Sequence, residues 1–200
     1  VFIILTAREN RGGQRMDART RYTKIIIQEE FLNLLEKKSV EQITVKEICA
    51  KADINRATFY KYYDNAFDLL SKLESETLSK LKEELSTGTD LNFIDIYRLV
   101  LYKTLENRRL YELLFRKMDD ERFEKDLYDL CYGVNFAIIK KYFSKLPENK
   151  QQWVYYFIAE GLAGVMKQWI RGGYKESVDE IVDLATKLVE SINSKLPGML

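Results

Sequence analysis

The side chains with the clearest chemical potential fall between residues 43 and 70. There the chain reads Ile-Thr-Val-Lys-Glu-Ile-Cys-Ala-Lys-Ala-Asp-Ile-Asn-Arg-Ala-Thr-Phe-Tyr-Lys-Tyr-Tyr-Asp-Asn-Ala-Phe-Asp-Leu-Leu. Arg56, Thr58 and Lys61 offer cationic and hydroxyl donors within six residues, with the small Ala57 beside them. Such a face suits hydrogen bonding to phosphates and base edges. It does not suit acid–base catalysis. The chain contains no histidine, which removes the commonest general base, the commonest metal ligand and every Ser-His or Cys-His arrangement. No Cys-x-x-Cys, Gly-rich phosphate loop or calcium-loop pattern occurs either. We expect neither an enzyme, nor a bound metal, nor a cofactor.

The elements that must position this face are short helices. Thr44 with Glu47 three residues later is a capping box, opening a helix whose inner side is Val45, Ile48, Cys49 and Ala52. Asp53-Ile54-Asn55 reads as a turn, and Asn55 is a good N-cap for a helix from Arg56 to Tyr63. Two short helices joined by three residues make a helix-turn-helix, whose second helix can enter a major groove. Ala52, Ile54 and Phe59 would lock the pair. A preceding helix is expected over Thr20–Lys38, with Ile25, Ile26, Phe31, Leu32, Leu34 and Leu35 on its apolar face. Asn65 can cap a fourth helix running from Ala66 to about Leu85.

The segment from Thr20 to Leu70 resembles the DNA-binding head of TetR-family regulators. The likeness rests on Ile-Thr-Val-Lys-Glu-Ile and on Ala-x-Ile-Asn-Arg-Ala-Thr-Phe-Tyr-x-Tyr-Tyr. It implies about nine helices, a homodimer and a ligand pocket in the body. It also implies phosphate contacts from Thr44, Tyr60 and the helix start at Arg56–Thr58. Base reading would fall on Arg56, Ala57, Thr58 and Lys61, joined by Tyr62. Two positions depart from the family. Asp53 stands where the family usually has glycine in the tight turn. Ala66 stands where it usually has a phosphate-touching lysine.

Composition agrees with an all-α chain. With 2 Pro and 9 Gly in 200 residues, few breakers interrupt long helices. Ser86–Asp90 is the clearest linker. Beyond it, helices are expected at about 91–106, 108–117, 120–145, 149–171 and 177–195. The expected division is a leader at 1–15, a helix-turn-helix domain at 16–65 and a ligand-binding and dimerisation domain at 66–200, with helix 66–85 connecting them. The net charge of +1 is nearly neutral, and Val1–Asp64 holds 12 Lys/Arg against 9 Asp/Glu. The tilt is small, so any nucleic-acid reading rests on the motif. Two cysteines, Cys49 and Cys131, in apolar contexts fit reduced thiols in the cytoplasm.

The leader is unusual. Val1–Leu5 is apolar but too short to cross a membrane. Arg11-Gly12-Gly13-Gln14-Arg15 precedes Met16, and Arg-Gly-Gly codons can spell a ribosome-binding stretch. Residues 1–15 therefore read as translated upstream sequence. A basic arm that touches DNA is the other reading.

In the body, Tyr97, Tyr102, Tyr111, Phe115, Tyr128, Cys131, Tyr132 and Phe136 recur at helical spacing. Any one of them reads as core. Together they point to a roomy, partly polar interior, because buried tyrosines need hydroxyl partners. Such an interior suits an aromatic or moderately apolar ligand, with Tyr102, Tyr111, Phe115, Tyr128, Tyr132, Phe136 and Trp169 as candidate lining. The last two helices carry apolar residues on more than one face. They read as a two-fold interface built from Trp153, Gly161, Gly164, Ile181, Ala185, Leu188 and Ile192. Ile158–Gly164, followed by Trp169-Ile170-Arg171-x-Gly173, also resembles the C-terminal domain of one TetR subgroup.

These readings combine into a repressor. A dimer would hold a palindromic double-stranded operator, and a small-molecule effector in the body would favour a head spacing that releases it. The alternative is a helical protein that binds a ligand or partner and has lost operator binding, in line with the changes at Asp53 and Ala66.

Overall fold

The computed structural model describes residues 18–87, 92–116 and 122–196. The leader at 1–15 lies outside the described residues, as do the side chains of residues 132–139, Tyr132 and Phe136 among them. The described residues form helices with no strand. The helices are α1 (Ala18–Leu35), α2 (Val45–Lys51), α3 (Arg56–Tyr60), α4 (Ala66–Thr87), α5 (Phe93–Glu106), α6 (Arg108–Arg116), α7 (Arg122–Tyr142), α8 (Glu148–Arg171) and α9 (Val178–Lys195). A 3-10 turn, Val40–Gln42, follows α1.

Local chemistry sets most of these boundaries. The Thr44 hydroxyl oxygen accepts the Glu47 amide at 3.3 Å, and the Glu47 carboxylate accepts the Thr44 amide at 3.0 Å. Asn92 with Asp95 and Ser177 with Glu180 start α5 and α9 by the same reciprocal pattern. α1 stops three residues earlier than its sequence implies. After Leu35 the backbone tightens, with the Lys37 amide bonding the Leu34 carbonyl at 2.9 Å. α3 is also shorter than expected: the Tyr62 amide turns back to the Phe59 carbonyl at 2.9 Å, a three-residue closure that ends the α pattern.

The chain divides into two compact units, one up to Ser75 and one from Glu76, with the boundary inside α4. In the first, α1 packs on α2 and α2 on α3. Their shared core contains Ile27, Phe31, Ile48 and Phe59, each fully buried, with Leu32, Ala52, Tyr63 and Leu69 around them. Burying each large side chain contributes roughly 1.5–3 kcal/mol. In the second unit, α8 packs against α6 and α7, and α5 against α7 and α9. Arg98 of α5 pairs with Asp179 of α9 at 2.5 Å. A cluster of Phe93, Phe143, Leu146, Tyr155, Ile158 and Val189 closes one end.

Candidate nucleic-acid interface and body cavity

The turn between α2 and α3 sets the orientation of α3. α2 ends in a Schellman arrangement in which the Ile54 amide reaches back to the Cys49 carbonyl at 3.1 Å. This closure requires a left-handed residue, and Asp53 supplies it with φ +50°. Asn55 then caps α3: its side-chain oxygen accepts the Thr58 amide at 2.8 Å and the Thr58 hydroxyl at 3.0 Å.

With α3 so oriented, Phe59 is fully buried while Arg56, Ala57, Tyr60 and Lys61 are exposed and Thr58 and Tyr62 are half-buried. Tyr60 is 55% exposed although its ring meets Phe59 edge-on, at 5.8 Å between centroids. Thr44 is also exposed, at the start of α2. The residues singled out in the sequence are thus donors and small side chains on the outer side of a locked helix pair. The Thr44 hydroxyl is itself engaged, donating to the Glu47 carboxylate at 2.8 Å.

Three supporting residues were not legible as such. Gln28 of α1 donates to the Tyr63 phenol oxygen at 3.3 Å. The Lys24 ammonium lies 5.9 Å from the Tyr62 ring centre. Lys72 of α4 donates to the Tyr62 carbonyl at 2.9 Å and to Asp68 at 2.8 Å. Lys72 thus ties the turn after α3 to α4. Only its i,i+4 spacing from Asp68 signalled a pairing. Ala66 is buried and contributes packing.

Electrostatics in this unit are local. The Lys38 ammonium, then the Thr44 amide and hydroxyl, lower the Glu47 carboxyl to about 2. Lys72 lowers Asp68. Burial raises the Cys49 thiol, against the opposing charge of Arg56.

The second unit contains a cavity of about 750 Å³ between α5, α6, α7 and α8. Phe115 and Tyr128 line it, as do Tyr97 and Cys131. The Tyr97 hydroxyl donates to the Leu162 carbonyl at 3.0 Å, and burial raises its pKa. Burial pushes the Cys131 thiol up to about 12, which keeps it a neutral thiol and a poor nucleophile.

Three expected lining residues lie elsewhere. Tyr102 is 40% exposed. Tyr111 is buried in an aromatic triad, with ring centres 6.3 Å from Phe115 and 5.8 Å from Phe123. Trp169 donates its indole N–H to the Glu176 carbonyl at 2.9 Å and meets the Tyr174 ring at 4.7 Å, fixing the corner after α8. Helical spacing placed these aromatics in the body without saying which side of each helix meets the void.

The expected interface residues also separate. Ile181 and Ala185 are buried within the single chain, on a helix that packs against α5. Ile192 packs partly against the end cluster. Gly164 is exposed and also borders the cavity. Trp153 and Gly161 on α8 and Leu188 on α9 are exposed. They are joined by two residues the sequence did not single out, Phe157, 73% exposed, and Leu184, 50% exposed. Trp153, Phe157 and Gly161 follow at four-residue steps, and so do Leu184 and Leu188. A Cβ at Gly161 would meet nothing within 4 Å.

Among the described residues, no helix is long and apolar enough to cross a membrane. Residues 91–191 match the C-terminal region of TetR-type transcriptional regulators. The chain is similar to DhaS of Lactococcus lactis, an HTH-type transcriptional activator of the dhaKLM operon. Identity is 31% over 103 residues, 51% of this chain and 52% of that protein. It is also similar to YxbF, an uncharacterized HTH-type transcriptional regulator of Bacillus subtilis, with 27% identity over 109 residues, 51% of this chain and 29% of that one. The chain thus spans about half of one curated relative and less than a third of the other. A TetR transcriptional regulator from Streptococcus agalactiae shares the fold, with a TM-score of 0.64 at 21% identity over 86% of this chain and 96% of that one. The matched C-terminal region and the shared helical fold place the chain in one group: it belongs to the TetR family of transcriptional regulators.

Proposed function

We propose that the chain acts as a cytoplasmic homodimer that binds a palindromic operator through α3 and is released by a small molecule held in the second unit. The observation that carries this reading is α3 itself: a capped helix with Phe59 fully buried and Arg56, Ala57, Tyr60 and Lys61 on its open side. Arg56, Ala57, Thr58 and Lys61, with Tyr62, would read base edges. Thr44 and Tyr60 would hold phosphates and set the register. Ala66 adds no cation to that set. Each absent phosphate contact lowers the salt dependence of binding by about one unit of slope.

The dimer reading draws on the open stripe of Trp153, Phe157 and Gly161 on α8 and of Leu184 and Leu188 on α9. A second copy would cover these residues across a two-fold axis. Such a dimer matches half-sites one helical turn apart, about 34 Å. The cavity of about 750 Å³ is of a size that holds a small molecule. A ligand there weakens operator binding only if it binds the released state more tightly.

Repression is the sign we propose. The name of the Lactococcus relative, a transcriptional activator, favours a second reading in which the same interface sits where it recruits rather than blocks polymerase. The experiment is fluorescence anisotropy of the full chain on the DNA upstream of its own gene, with Lys61→Ala as the control. Specific binding that disappears in the variant supports the reading. No binding above that to unrelated DNA favours instead a helical ligand- or partner-binding protein without an operator.

A further inference from the structure

The cavity in the second unit has two chemically different ends. At one end its wall is Phe93, Ile96, Val100, Tyr155 and Ile158. The neighbouring Tyr97 hydroxyl is engaged by the Leu162 carbonyl. At the other end, the first turn of α7 contributes Arg122, Glu124 and Lys125, and α8 contributes Lys167, with Glu160 further along the wall. From Tyr155 to Lys167, α8 advances about 18 Å. The void is therefore long, apolar along most of its length and charged at one end.

Every charged lining group bears on the sign of the ligand. Arg122, Lys125 and Lys167 stand against Glu124 and Glu160, three cations to two carboxylates. Lys125 pairs with Asp129, both largely exposed, and is drawn toward solvent. Glu160 is exposed. The charged pair held within the wall is Glu124 with Lys167, at 20% and 28% exposure, and it joins α7 to α8. A ligand whose polar end reaches this point must replace one partner. An anion would take Lys167 and release Glu124 at the positive end of its own helix, α7. A cation would take Glu124 and leave Lys167 unpaired beside the positive end of α7. The first exchange is electrostatically favoured.

We propose that this cavity takes an elongated apolar ligand with an anionic end, an acyl chain ending in a carboxylate, seated with its carboxylate on Lys167 in place of Glu124. The proposal rests on the reading of this cavity as the effector site. The test is calorimetric titration of the full chain with decanoate, decanol and decyltrimethylammonium, below micelle-forming concentrations. Decanoate is expected to bind about tenfold or more tightly than decanol, the scale of a charge-assisted hydrogen bond. Lys167→Met should abolish that preference. Glu124→Gln should strengthen decanoate binding, because it frees Lys167. The two variants break the same ion pair, so a purely structural role for the pair would weaken binding in both. Equal or tighter binding of decanol or of the ammonium, or weaker decanoate binding in Glu124→Gln, overturns the proposal. Operator anisotropy in the presence of each probe tests the underlying reading separately. Decanoate that binds without releasing operator supports the ligand class and overturns the effector role. Release by decanol but not by decanoate overturns the ligand class.

Discussion

The ammonium of Lys38, just past the end of α1, lies 2.6 Å from the carboxylate of Glu47 in the first turn of α2. Glu47 is also the residue that closes the capping box with Thr44. One carboxylate therefore starts α2 and ties it to the preceding helix. Its pKa falls from an ordinary 4.5 to about 2. A carboxyl with a depressed folded pKa contributes stability above its unfolded pKa and loses it as pH falls through the folded value. The helix-turn-helix unit should thus lose stability between pH 4.5 and about 2. Glu47→Gln should be less stable at neutral pH and show a flatter decline over that window. Thermal melts of both proteins across the range check this. Parallel pH curves would remove Glu47 from the account.

Asp53 at φ +50° holds the left-handed position that closes α2. Glycine adopts that conformation without a Cβ clash, whereas alanine lacks even the local hydrogen bonding that helps aspartate. Asp53→Gly should stabilise the unit by about 0.5 kcal/mol, after the added freedom of the unfolded chain is subtracted. Asp53→Ala should destabilise it by about 1 kcal/mol. Urea unfolding of the two variants gives both signs. An alanine variant as stable as the parent would show that the turn carries no strain.

Phe59 and Lys61 lie two residues apart at the end of α3 and face opposite ways. Phe59→Ala should cost about 3–5 kcal/mol, the range for truncating a large aromatic in a packed core. Lys61→Ala should leave melting unchanged and weaken operator binding by about 1–3 kcal/mol, the range for one well-paired base edge. Circular dichroism and anisotropy on the same samples separate the two effects. A destabilised Lys61 variant with intact binding would reverse the assignment.

Leu188, 53% exposed on α9, should tolerate charge in the monomer but not in a dimer. An unpaired carboxylate in an apolar interface costs several kcal/mol, and two-fold symmetry introduces it twice. Leu188→Glu should sediment as a folded monomer. The same change at buried Ala185 should unfold the protein. A Leu188→Glu dimer of parental strength would move the interface off α9.

The order of the helices, the caps of α2 and α3 and the buried and open sides of α3 were legible in the sequence. They follow from interactions three residues apart: Thr44 with Glu47 and Asn55 with Thr58. Local spacing suffices for them because both partners ride on one helical turn. What each apolar residue packs against was settled only by the assembled bundle. α9 carries Ile181, Ala185 and Leu188 at similar spacing, yet the first two are buried in the packed bundle and Leu188 is left open. Tyr111 and Phe115 are one turn apart, yet only Phe115 reaches the cavity. The pairing of Glu124 with Lys167 joins residues on separate helices, and no periodicity along the chain encodes it. An amphipathic stripe states that a face must be covered. Which neighbour covers it depends on how all the helices pack at once.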